Sequence, residues 1–150
     1  MKKIIIGSDH GGFALKESLK PYLIKSGYKV KDVGAYSEES CDYPSTASAV
    51  AREVSSGRLK QGILICKSGI GNSIVANKFP RVRAALAYNL EAAKLSRQHN
   101  DSNILVMGSL FVKPALAKKM ARVWLDTAFE GGRHKRRVDL INKIEKGMKI

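Results

Sequence analysis

No apolar run in this sequence approaches the roughly 20 residues that a membrane-spanning helix needs, so a protein built on such helices is excluded. Met1-Lys2-Lys3 opens like a basic leader, but the apolar stretch behind it stops after Ile4, Ile5 and Ile6. That is too short for a signal peptide and reads as a first strand. Cysteine is scarce: Cys41 and Cys66 lie far apart and show none of the paired spacings of zinc sites or redox dithiols. A reduced, cytoplasmic protein is expected. The three histidines, His10, His99 and His134, form no His-x-x-x-His pattern and adjoin no carboxylate pair, so no metal is expected. Internal repeats, low-complexity tracts and linkers are also missing, and 150 residues fit one domain over 1–150.

What is abundant is positive charge. Lys and Arg number 27 against 13 Asp and Glu, a formal net charge of +14. This leaves nucleic acid, an acidic membrane surface and a phosphorylated small molecule open as partners. Short Ile- and Val-rich runs alternate with segments of helical period, the pattern of parallel strands joined by crossover helices. The fold class is therefore α/β. Strands are expected over 3–8, 28–33, 62–66, 82–87 and 103–107. Helices are expected from Phe13 to Gly27, bent at Pro21, from Tyr43 to Val54, from near Asn72, over 90–98, from Pro114, and as a basic C-terminal helix from about 134 to 146. Gly62-Ile63-Leu64-Ile65-Cys66 is apolar throughout, as a central strand covered on both faces would be.

Ligands of open α/β sheets bind beyond the carboxyl ends of the strands, which directs attention to three segments. Ser8-Asp9-His10-Gly11-Gly12 puts a carboxylate and an imidazole beside two glycines, with helix capping as the plainer role for Asp9. Cys66-Lys67-Ser68-Gly69-Ile70-Gly71 ends a strand in a thiol and follows it with a loop able to aim N–H groups at a phosphate or a developing oxyanion. Asn72 and Ser73 stand where a P-loop needs its lysine and hydroxyl, Ile74 where a dinucleotide fingerprint needs its third glycine, and Asn72 where a cysteine phosphatase needs arginine. Ser96-Arg97-Gln98-His99-Asn100-Asp101 carries a histidine suited to proton transfer at neutral pH, at a helix end before a strand. In the tail, Arg133 and Arg137 are four apart and would share a helix face, where one anion could satisfy both guanidinium groups. A solvated basic helix or a nucleic-acid patch is the alternative, but the tail lacks the aromatic residues that stack bases.

These segments, with Asp42-Tyr43-Pro44, Ala76-Asn77-Lys78 and Glu130-Gly131-Gly132-Arg133-His134, resemble the ribose-5-phosphate isomerase B family over essentially the whole chain and in the expected order. The resemblance implies a Rossmann-like three-layer sandwich with a mostly parallel sheet, and a homodimer whose sites draw residues from both subunits, with tetramers left open. It also implies interconversion of ribose 5-phosphate and ribulose 5-phosphate through an enediolate, in the pentose phosphate pathway and without cofactor. Galactose 6-phosphate and allose 6-phosphate are alternative substrates within the same superfamily.

By the same resemblance Cys66 is the base and His99 opens the sugar ring, with Asp9 near the hydroxyls. Lys67, Ser68, Gly69, Ile70 and Gly71 cradle the enediolate oxygen. Tyr43 and Asn100 contact the sugar, and His10, Arg133 and Arg137 the phosphate. A sugar phosphate is the expected partner; nucleic acid and membrane are not. Where relatives often have Gly-Thr after the cysteine this chain has Lys67-Ser68, and where they often carry arginine it has Leu110. Lys67 is expected to favour the Cys66 thiolate.

Overall fold

The computed structural model describes residues 1–150. In chain order it contains β1 (Lys2–Ser8), α1 (Phe13–Lys25), β2 (Tyr28–Asp32), α2 (Tyr43–Ser55), β3 (Gly62–Cys66) and α3 (Ile70–Ala76). There follow β4 (Ala84–Leu86), α4 (Leu90–Asn100), β5 (Ile104–Gly108), α5 (Pro114–Asp126) and α6 (Gly132–Glu145). The five strands form one sheet in the order β2-β1-β3-β5-β4, and every pairing is parallel. No helix is long and apolar enough to cross a membrane.

Strand periodicity divides the core in two. Ile4, Ile6, Ile63, Ile65, Leu105 and Met107 face one side, packing with Leu15 and Leu19 of α1, Ala93 of α4 and Met120 and Trp124 of α5. Ile5, Leu64, Ile104 and Val106 face the other, against Ala47, Val50 and Val54 of α2 and Ala76 of α3. Because side chains alternate at period two, an all-apolar strand such as β3 needs a helical layer on each face. The result is a three-layer sandwich. Its chain direction reverses about β1, since β2 lies on one side and β3 on the other, and such a reversal opens a crevice at the carboxyl ends of the strands.

Several boundaries differ from the sequence reading. Strand β4 is three residues rather than 82–87, because Val82 donates its N–H to Phe79 in a turn and Arg83 donates to the Asn103 side chain. Helix α3 starts at Ile70, two residues before Asn72, as the loop turns at once into helix after Gly69. Pro21 lies inside an uninterrupted α1.

The most buried charge is structural. Lys16 on α1 is fully buried and donates to both carboxylate oxygens of Asp32 at 2.7 Å, while Lys20 reaches the same carboxylate at 2.7 Å. Burial works to raise the Asp32 carboxyl, but hydrogen bonds from Lys16, Lys20 and the Gly34 N–H outweigh it and hold the group below its ordinary range. Removing one partner of a buried pair leaves the other uncompensated, at about 3–5 kcal/mol. Glu17, 3.2 Å from Lys16, is a partial substitute. Asp32→Ala is therefore expected to cost about 3 kcal/mol in urea unfolding at pH 7. Since the folded carboxyl is depressed, its contribution is complete above the unfolded carboxylate range and disappears as pH falls through the folded value. The difference between wild type and variant should shrink accordingly in acid.

Candidate active site

Strands β1 and β3 deliver their last residues side by side, Ser8 opposite Ile65. After β1 the chain makes a single 3₁₀ turn, His10–Gly12, capped by Asp9, whose buried carboxylate accepts the Gly12 N–H at 2.9 Å. The capping role anticipated for Asp9 is thus present. A Cβ on Gly12 would stand 2.4 Å from the Ile65 carbonyl oxygen, so this turn approaches β3 closely only because residue 12 has no side chain. His10 accepts the Cys41 N–H at Nδ1 (3.2 Å), which fixes the imidazole toward the 41–43 segment.

Cys66 is buried at the end of β3, and its Sγ accepts the Gly69 N–H at 3.1 Å. The loop takes this shape because Gly69 has φ +85°, a left-handed conformation that side chains disfavour. Gly71 lies under the ring of Tyr43, whose Cζ would be 2.5 Å from an added Cβ, so Tyr43 of α2 covers the loop. Ser68 accepts the Ile70 N–H at Oγ and the Tyr88 hydroxyl at its carbonyl. Ser109 braces both glycine segments, donating Oγ–H to Gly11 O at 2.7 Å and N–H to Cys66 O at 2.9 Å. Leu110 donates its N–H to Lys67 O and is itself exposed. Asp9, His10, Tyr43 and the 66–71 loop are therefore one constellation. Ser109 and Tyr88 belong to it too, and nothing in their local sequence marked them.

Burial pushes the Cys66 thiol up. The N–H groups of Asn72, Gly69 and Ser68 act against that, and the Asp9 charge adds to it; the balance is a thiol above its ordinary value. Lys67 is exposed, and the largest influences on the thiol are burial, these N–H groups and Asp9. Desolvation dominates, as for any thiol in apolar surroundings, so the net effect is a raised thiol despite the cation expected at Lys67.

His99, Asn100, Arg133 and Arg137 assemble elsewhere. Helix α4 starts at a cap where Asn89 accepts the Ala92 N–H, and it ends at Asp101, left-handed at φ +47° and held by Arg83 and Arg97. As the crossover between two parallel strands it returns from the carboxyl to the amino end of the sheet, about 16 Å for 11 residues. His99 thus sits at the amino end, just before β5, whereas Cys66 pairs with Gly108 at the other end. Placing His99 among residues beyond strand carboxyl ends is corrected by this connectivity.

His99 stacks on buried His134 of α6, ring centroids 4.1 Å apart at 9°, and His134 Nε2 lies 3.5 Å from Glu130. Burial, then His99 and Arg133, push His134 down, with Glu130 opposing. Arg133 and Arg137 are exposed on the same helix. Ligand atoms of His99, Glu130 and His134 lie within 4.8 Å of one another, the donor set best placed to hold a metal ion, which linear spacing did not reveal.

A sequence model of the family described as Ribose/Galactose Isomerase matches residues 4–141. The chain is 48% identical to ribose-5-phosphate isomerase B of Escherichia coli K12 over 97% of each chain. Its fold superposes on ribose-5-phosphate isomerase B of Clostridium thermocellum with a TM-score of 0.95, at 48% identity, covering 97% of this chain and 98% of the other. The Mycoplasma genitalium enzyme, solved with bound ribulose-5-phosphate, superposes with a TM-score of 0.92 at 40% identity over 96% of each chain.

Proposed function

The chain belongs to the ribose/galactose isomerase family, and from that membership we infer that it interconverts ribose 5-phosphate and ribulose 5-phosphate with Cys66 as the base. The observation that carries the mechanism is the Cys66 sulfur in a loop of convergent N–H groups, beneath Tyr43 and beside Asp9. Moving a proton between C1 and C2 of an open-chain sugar requires a base and a place for the charge that develops on oxygen. The thiolate meets the first need. Loop N–H groups over 67–71 meet the second, and Tyr43 packs against the loop at Gly71.

The remaining groups stand at the far end of the protomer, so the site is composite: a second copy brings His99, Asn100, Arg133 and Arg137 to the Cys66 loop. His99 moves the proton that opens the furanose ring, and the two arginines, with His10, grip the phosphate. Binding energy from that non-reacting phosphate holds the open-chain sugar in place. Arginine suits the task because its planar fork meets phosphate oxygens in pairs.

Ribulose 5-phosphate formation from ribose 5-phosphate in chelator-treated buffer tests the assignment. Turnover is expected, with galactose 6-phosphate and allose 6-phosphate slower by about tenfold or more, the scale at which a pocket rejects an added carbon. Faster turnover of a hexose phosphate would reassign the substrate, and no turnover of any of the three would remove the isomerase reading.

A further inference from the structure

Past its last residue, β5 goes on pairing with the chain that leaves β3. Gly108 is the Cα partner of Cys66; Ser109 then donates its N–H to the Cys66 carbonyl at 2.9 Å, and Leu110 its N–H to the Lys67 carbonyl at 3.0 Å. A side chain on Gly108 would run into the Ser68 carbonyl, so the approach is close only because residue 108 has none. The backbone of Ser109 is thereby tied to that of the base. Its side chain reaches elsewhere. Ser109 Oγ–H donates at 2.7 Å to the carbonyl of Gly11, 98 residues away in the turn after β1. Because β3 lies between β1 and β5, no ladder hydrogen bond joins those two strands, and this hydroxyl spans the end of β3 to do so. The turn it holds contains His10, is capped by Asp9 and lies on the loop, with Lys67 Cβ 3.2 Å from where a Gly11 Cβ would stand. A serine hydroxyl has one hydrogen to donate, and here Gly11 takes it.

We propose that Ser109 is a positioning residue: through its bond to Gly11 it sets the spacing between the His10 turn and the Cys66 sulfur. The proposal rests on the isomerase reading and adds to it a residue that touches no substrate. In that reading the His10 turn helps to hold the phosphate on C5 while Cys66 takes the proton on C2. Both groups belong to one short molecule, so grips mounted on separate strands must be kept at a matching distance. Proton transfer needs the reacting atoms about 3–3.5 Å apart, and a misplacement of about 1 Å costs about 10²-fold in rate. A side-chain hydrogen bond at the commonest O–H···O distance is a restraint of the required precision. Losing it leaves each grip intact but misaligned with the other, so catalysis suffers more than binding.

Ser109→Thr and Ser109→Val share one shape and differ in the hydroxyl, so comparing them isolates the hydrogen bond. For ribose 5-phosphate the valine variant is expected to lose about 10- to 10²-fold in kcat, with KM and the competitive inhibition constant of inorganic phosphate changed less than about threefold. The threonine variant is expected to keep kcat within about threefold of wild type. Alkylation of Cys66 by iodoacetamide should run at the wild-type rate in both, because the thiol and the N–H groups around it are untouched. Valine and threonine variants within about twofold of each other in kcat overturn the proposal. So does a valine variant whose kcat falls together with phosphate binding, Tm and Cys66 alkylation, the pattern of a residue that only supports the loop. Ser109→Ala is measured against wild type by the same criteria should the β-branched variants not fold. A wild type that turns over no sugar phosphate removes the isomerase reading and this role with it, whereas a fully active valine variant removes the role alone.

Discussion

Cys66→Ala is expected to lower kcat/KM for ribose 5-phosphate by at least about 10³-fold, with Tm close to wild type. The base is lost outright, and general-base catalysis contributes about 10²–10⁴-fold. The cost to the fold is small because only one sulfur atom goes, and what it accepts are backbone N–H groups of its own loop, Gly69 at 3.1 Å foremost. Cys66→Ser keeps an acceptor for those N–H groups but not an ionisable thiol, so it should be nearly as slow as alanine. Burial raises the wild-type thiol, so the thiolate is a minor form at neutral pH and kcat/KM should climb with pH through its ionisation. Steady-state rates from pH 6 to 9 check both statements. Residual activity above about one tenth in the alanine variant, or a flat profile, would transfer the proton step to another group.

Mixing two inactive variants should restore activity. Cys66→Ala and His99→Ala are each expected to be slow, by at least about 10³-fold and about 10²-fold. If the site joins the Cys66 loop of one protomer to the His99 cluster of another, a mixed dimer has one site with both residues intact and one with neither. Random pairing makes half the dimers mixed, so about one quarter of wild-type activity should return in a symmetric two-site dimer. Subunit exchange after mild denaturation and refolding, followed by assay, gives the number. A mixture no faster than the mean of its parents would place the whole site in one protomer, against the length of α4 that separates the two clusters.

Much of the arrangement was legible beforehand for identifiable reasons. Gly62–Cys66 appeared as a buried central strand because both of its faces are apolar, and a helical layer covers each. The 66–71 loop stood out because a thiol at a strand end followed by two glycines is a local statement about backbone shape, and Gly69 indeed takes the left-handed conformation. Less was legible where a role depends on residues distant in the chain. Ser109 braces Gly11 across the crevice through one hydroxyl, and serine after a strand carries no such message. The His99–His134 stack joins two helices, and spacing within either is silent about it.

The sequence by itself determined the layer architecture, the loop that holds Cys66 and the identity of the polar groups, because periodicity, glycine placement and side-chain chemistry act over a few residues. Only the tertiary structure decided that β5 inserts between β3 and β4, that desolvation raises the thiol, that Ser109 ties the His10 turn to the Cys66 loop, and that His99 faces the opposite end of the sheet. Each of these depends on which distant segments exclude water from one another and on the direction in which a crossover helix must run between parallel strands, properties of packing that no single stretch of chain contains.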